Sequence, residues 1–129
     1  MLTPNVNLSG KTVLVTGAAG LIGANLLLEL LRTVENISIV GLDNMNPYYD
    51  VSIKEYRLSE IEKLAAQYPG SQWEFVQGSI ADKPLVDSLF EKHGFCVAVN
   101  LAAQAGVRYS ITNPDAYIEA NLIGFYNIL

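Results

Sequence analysis

TVLVTGAAGLIGANLLLELLRTVENISIVGLDN, residues 12–44, decides how the rest of the chain is read. A short β-branched run ends at Thr16, and Gly17, Gly20 and Gly23 follow at three-residue spacing before a leucine-rich stretch with helical character. Glycines where a strand passes into a helix let the backbone approach a pyrophosphate, and the first free N–H groups of the helix point at it. A second apolar run, Ile37 to Leu42, ends in Asp43, twenty residues after Gly23. A carboxylate there can accept hydrogen bonds from ribose hydroxyls. Three glycines alone also serve tight turns. The strand before, the helix after and the acid at the next strand end point instead to a bound dinucleotide. Ala24 and Asn25 follow Gly23, so the lysine that a nucleoside-triphosphate loop requires is missing.

On either side of this stretch the same alternation continues. Thr12–Thr16 and Ile37–Leu42 are predicted strands, with a helix over Leu21–Arg32 that is apolar on most faces. The segment Asp43–Asp50 is too rich in turn formers to be regular. Ser52 and Glu55 stand as in a capping box, opening a helix with Leu58, Ile61, Leu64, Ala65 and Tyr68 on its apolar face, and Pro69-Gly70 stops it. Trp73–Gln77 reads as the third strand, Asp82 with Pro84 as the start of a helix to Lys92, and Phe95–Leu101 as the fourth strand. A loop over Ala102–Thr112 leads to a helix capped by Asn113, with Pro114 as its first residue, running to Leu129. The βαβαβαβ rhythm implies parallel strands joined by right-handed crossovers, an α/β fold. No stop signal closes the last helix, which suggests a piece of a longer protein.

Bulk properties narrow the classes further. Half of the 129 residues are apolar and 16% charged, which suits one domain built on a sheet covered on both faces. A net charge of −5, with eight scattered basic residues, argues against a nucleic-acid partner. A dinucleotide remains compatible, because backbone N–H groups and a helix dipole can hold its phosphates. Cys96 is the single cysteine, lies in an apolar run, and reads as a small buried hydrophobe in a reducing, cytoplasmic setting. No leader-like start or membrane-length apolar segment is found, so neither export nor a membrane is expected. One histidine and one cysteine in unrelated segments give no metal site.

TGAAGLIG at residues 16–23, Asp43-Asn44, NLAAQAGVRYS at 100–110 and NPDAYIEANLIGFYNIL at 113–129 resemble the extended short-chain dehydrogenase/reductase family of NAD-dependent epimerases and dehydratases. Within it, DNMNPYYDVSIKEYRL (43–58) with AAQAGVRYS is similar to UDP-glucuronate 4-epimerases. The resemblance implies a Rossmann-like, doubly wound parallel sheet, truncated after the fourth strand and its helix, with residues 1–129 as an NAD-binding domain. It implies NAD as cofactor, with Gly17, Ala19, Gly20, Leu21, Ile22 and Gly23 around the pyrophosphate, Asp43 on the adenosine ribose and Asn44 beside it. An anionic Asp43 would repel a 2′-phosphate and favour NAD over NADP. Ser79, followed by Ile80, stands where the family carries an aspartate that meets the adenine amino group. Leu101, Ala102 and Ala103 would line the inner ribose and nicotinamide path, with Gln104 where some relatives have lysine. Asn121 matches an asparagine near the catalytic region and cofactor, and Arg108 and Ser110 could approach a sugar nucleotide. Asn100 departs from the histidine that such epimerases carry before LAA.

Ordinary readings stand beside several of these roles. Asp43 could cap a loop, Asn121 could be a solvated helix residue, and Arg108 suits a surface cation. His93 reads as solvated at a helix end, and Tyr48, Tyr49, Tyr109, Tyr117 and Tyr126 as packing or surface residues. The family's proton-transfer pair, Tyr-x-x-x-Lys, is absent. No tyrosine here has lysine four residues later, so no catalytic residue is assigned and this chain alone is expected to be inactive. The nucleotide-sugar partner and a homodimer are expected for the parent enzyme. Self-association is also expected here, through the uncovered edge of the fourth strand or the last helix. Alternatives are a sugar-nucleotide dehydratase or decarboxylase, a non-catalytic nucleotide sensor, and a methyltransferase that binds S-adenosylmethionine.

Overall fold

The computed structural model describes residues 5–129; the first four residues of the polar lead-in lie outside the described part. Four strands, β1 (Thr12–Thr16), β2 (Ser38–Asp43), β3 (Gln72–Gln77) and β4 (Val97–Asn100), pair in the order β3-β2-β1-β4, all parallel. The order reverses direction at β1, which sits between β2 and β4. Such a reversal opens a crevice beyond the carboxyl ends of the strands, where ligands bind in open α/β sheets.

Alternation along β1 and β2 sends side chains into two cores. Val13, Val15 and Ile39 join Ala24, Leu27 and Leu31 of α1 (Leu21–Thr33) and Ile61 of α2 (Val51–Ala66) on one face. Leu14, Val40 and Leu42 join Leu89 of α3 (Lys83–His93) and Ile80 on the other, with Ile128 packed against them. Both faces of the central strands are thus dry, as the apolar composition requires. Leu58, Leu64 and Ala65 extend the first core as the periodicity of α2 predicts, whereas Tyr68 stays 36% exposed.

Helix starts hold two corrections. Asp50, not Ser52, caps α2: its carboxylate accepts from the N–H and hydroxyl of Ser52 at 2.9 and 2.8 Å. An aspartate two residues upstream outcompetes the serine as acceptor, so the expected capping box does not form. Asp82 caps α3 as predicted, accepting from Leu85 N–H at 3.2 Å, and Gly94 ends that helix in the left-handed region at φ 57°. Asn113 makes no side-chain cap; its amide donates to the Tyr109 hydroxyl at 2.8 Å.

The fourth strand is shorter than Phe95–Leu101, because Leu101 turns away to bond the end of β1. Cys96 is exposed, not buried, since it precedes an edge strand that has no neighbour on its outer side among the described residues. The loop after β4 ends in a helical turn, α4 (Tyr109–Thr112). Beyond it α5 (Pro114–Tyr117), a π-helical stretch (Ile118–Gly124) and α6 (Phe125–Ile128) follow one another in helical backbone, so the single α-helix expected over 114–129 is widened in its middle. Gly124 lies so close to Ile80 that a Cβ would overlap that side chain.

Candidate functional site

A cleft of about 460 Å³ opens at the carboxyl ends of the strands, within the range of small-ligand sites. Its floor is the turn between β1 and α1. Gly17 adopts φ +68°, and a Cβ there would lie 2.8 Å from the Leu101 carbonyl carbon. Gly20 N–H donates to Gly17 carbonyl oxygen at 3.0 Å, tightening the turn. A Cβ on Gly23 would overlap that same oxygen, so this glycine lets α1 pack against the turn rather than face the cleft. No side chain caps α1, and Leu21 and Ile22 are exposed at its start. The first N–H groups of the helix are therefore left to an outside acceptor, and a helix start of this kind favours an anionic one.

Asp43 ends β2 and is 5% exposed. Its Oδ2 accepts from Ala19 N–H at 3.0 Å, and its Oδ1 from Met45 N–H at 2.8 Å and from Lys54 Nζ at 3.0 Å. The carboxylate therefore sits in the cleft wall and ties the glycine turn to the loop after β2. Arg57, one turn further along α2, donates to Ala19 carbonyl oxygen at 3.1 Å, and both cations line the cleft. The sequence reading missed them. The signal was present: the core-facing stripe Leu58, Ile61, Ala65 extended back by one turn lands on Lys54.

The other wall comes from the segment after β4. Thr16 Oγ1 donates to Asn100 Oδ1 and accepts from Leu101 N–H at 3.0 Å and Ala102 N–H at 3.1 Å. That hydroxyl bolts the end of β4 to the end of β1, and gives Asn100, where the resembling enzymes carry histidine, a partner. Leu101, Ala102, Ala103 and Gln104 line the cleft as a row. Asn121 does not line it. Its amide accepts from Gln104 N–H at 2.9 Å and donates to Gln104 carbonyl oxygen at 3.3 Å, so it holds this wall from behind. Ser79 and Ile80 line the far side, with Ser79 Oγ accepting from Ala81 N–H at 3.1 Å. Asn44 lines the cleft beside Asp43.

Arg108 and Ser110 fall outside the cleft: Ser110 Oγ donates to Val107 carbonyl oxygen at 2.5 Å, and Arg108 is exposed. Arg108 is the residue before α4 and Ser110 lies within it, past the cleft wall in the chain. His93 is not solvated; it stacks on Phe95 with Nε2 3.3 Å from a Glu74 carboxylate oxygen, without hydrogen-bond geometry, at the amino end of the sheet. Four tyrosines form one cluster instead of scattering, and two of them, Tyr48 and Tyr49, line the cleft. Tyr48 packs on Tyr49 at 4.7 Å and Tyr109 at 4.8 Å between ring centres, Tyr109 faces Tyr117, and the Tyr117 hydroxyl donates to the Ala105 and Gly106 carbonyls. Desolvation, followed by the neighbouring Tyr48, Tyr109 and Tyr49, pushes the Tyr117 phenol above its ordinary pKa. At the cleft lip, the Ser52 hydroxyl and N–H hold Asp50 below the usual carboxylate value. No group of His, Cys, Asp and Glu suited to a metal occurs among the described residues. No helix among them is long and apolar enough to cross a membrane.

Known proteins share this architecture. UDP-glucuronate 4-epimerase 2 of Arabidopsis thaliana is 42% identical over 121 residues, which are 94% of this chain and 26% of the relative. A solved UDP-glucose 4-epimerase from Stenotrophomonas maltophila, with bound NAD and formylated UDP-arabinopyranose, is 28% identical at a TM-score of 0.72, over 92% of this chain and 32% of that one. A dTDP-glucose 4,6-dehydratase from Bacillus anthracis in complex with NAD is 26% identical at 0.67, over 92% and 32%. The chain thus spans about a quarter to a third of the length of these relatives. The family model described as GDP-mannose 4,6 dehydratase matches residues 14–129, from inside the first strand through the last helix, and the chain belongs to that family.

Proposed function

We propose that this chain is the NAD-binding domain of a sugar-nucleotide epimerase acting on UDP-glucuronate by transient oxidation at C4. The observation that carries the reading is the uncapped start of α1 at the Gly17–Gly20 turn, with the buried Asp43 hydrogen-bonded to that turn in the wall of the same cleft. The residues present fit a dinucleotide: a glycine turn without bulk for the pyrophosphate, a carboxylate and a lysine for the adenosine ribose, and Ser79 for the adenine. The identity to UDP-glucuronate 4-epimerase 2 supports the substrate, and the bound NAD of the Stenotrophomonas epimerase supports the cofactor. When bound, NAD supplies the acceptor and the donor of the C4 hydride. The chain's own part is to bind and orient. Thr16 and Asn121 fix the Leu101–Gln104 wall against which the nicotinamide end would lie, and Tyr48 and Tyr49 of the tyrosine cluster line the cleft. No Tyr-x-x-x-Lys pair is present to take the sugar proton, so this chain alone binds without turnover.

Titration calorimetry tests the reading. NAD binds and S-adenosylmethionine does not; binding of S-adenosylmethionine alone overturns it in favour of a methyltransferase. A 4,6-dehydratase is the second reading, favoured by the family model and the Bacillus anthracis enzyme, and product analysis of the protein extended beyond Leu129 separates the two. The nucleotide-sugar partner, a homodimer and a cytoplasmic location belong to the same proposal, the dimer supported by exposed Leu122, Phe125 and Tyr126 on the last helical segments.

A further inference from the structure

We propose that Lys54 is a dinucleotide-binding residue that sets how strongly the ribose end of the cleft discriminates against a 2′-phosphate. The inference rests on the dinucleotide reading above and adds to it a specificity determinant. An isolated Asp43 at this position would repel a 2′-phosphate. Here the carboxylate is not isolated. Lys54 Nζ lies 3.0 Å from Oδ1, both side chains are shielded at 14% and 4% exposure, and low exposure keeps the pair from being screened by salt as a surface pair is. Two backbone N–H groups, of Ala19 and Met45, further draw charge from the same carboxylate.

An ammonium group has three donors, and Asp43 engages one of them. The others remain for acceptors in the cleft that Lys54 lines. Arg57 lines it too, with one guanidinium N–H on the Ala19 carbonyl. The charged residues at this end are therefore Asp43 and Asp50 against Lys54 and Arg57, and Asp50 is already engaged by Ser52. Removing Lys54 leaves Asp43 without a cationic partner in a poorly solvated wall, with only the two backbone N–H groups on its carboxylate. That change bears on a 2′-phosphate far more than on a 2′-hydroxyl, because only the phosphate is charged.

Titrating NAD and NADP into wild type and Lys54→Gln tests this directly, with Lys54→Arg as the conservative variant. The ratio of NADP to NAD dissociation constants rises about tenfold or more in Lys54→Gln and returns toward wild type in Lys54→Arg. An unchanged ratio in a folded Lys54→Gln overturns the proposal, as does a ratio that Lys54→Arg leaves unrestored or an absence of NADP binding where wild type binds NAD. If neither dinucleotide binds wild type, the dinucleotide reading itself fails, an outcome distinct from the others.

Discussion

Single atoms decide the turn and the wall of the cleft. A methyl group on Gly23 has no space beside the Gly17 carbonyl, so Gly23→Ala must lift α1 off the turn and misplace its first N–H groups. NAD affinity measured by calorimetry falls at least about tenfold in this variant. Thr16 is fully buried, and Thr16→Val keeps its shape while removing the acceptor of two N–H groups and the donor to Asn100. Leaving such groups unpaired costs about 1–3 kcal/mol in chemical denaturation, and Thr16→Ser recovers most of it. The glycines and Asp43 were legible because spacing along the chain carries their meaning. Thr16 was not, because its partners lie 84 to 86 residues away and only the pairing of β1 with β4 brings them together.

At the scale of elements, periodicity made the strands and the first three helices legible to within a residue or two, while the segment after β4 was not. A run of helix-forming residues does not announce a π-helical turn, which here forms where two tertiary contacts fall, Asn121 on Gln104 and Gly124 on Ile80. The tyrosine cluster was equally hidden, since its four rings, in three segments, come together only when the loops after β2 and β4 meet. Tyr117 joins them by donating its hydroxyl proton to backbone carbonyls. Its phenol is held above the ordinary value of 10.0, so the folded protein retains that proton where the unfolded chain has lost it. The resulting stability is fully present below the ordinary value and is lost as pH rises through the raised one. Thermal melts of wild type and Tyr117→Phe across the alkaline range therefore converge as pH increases. A gap that stays constant would show that the hydroxyl contributes nothing through its proton.

For the whole molecule, two dry cores account for the fold, and the surface left over sets how copies of it behave. β2 and β1 are covered on both faces, but β4 offers an unpaired outer edge among the described residues, and the helical segments beyond it expose Ile118, Leu122, Phe125 and Tyr126. An uncovered parallel edge next to apolar side chains is a template for another copy of the chain. The cleft proposed for the dinucleotide lies between Asp43 and the Leu101–Gln104 wall, and Phe125 does not line it, so association and NAD binding are expected to separate by mutation. Phe125→Asp places a charge on the exposed helical face without touching either core cluster. Light scattering at high concentration gives a larger mean mass for wild type than for Phe125→Asp, with NAD affinity within about twofold between them. A monodisperse wild-type monomer at the same concentration rules out association through this surface, whatever the chain binds in its cleft.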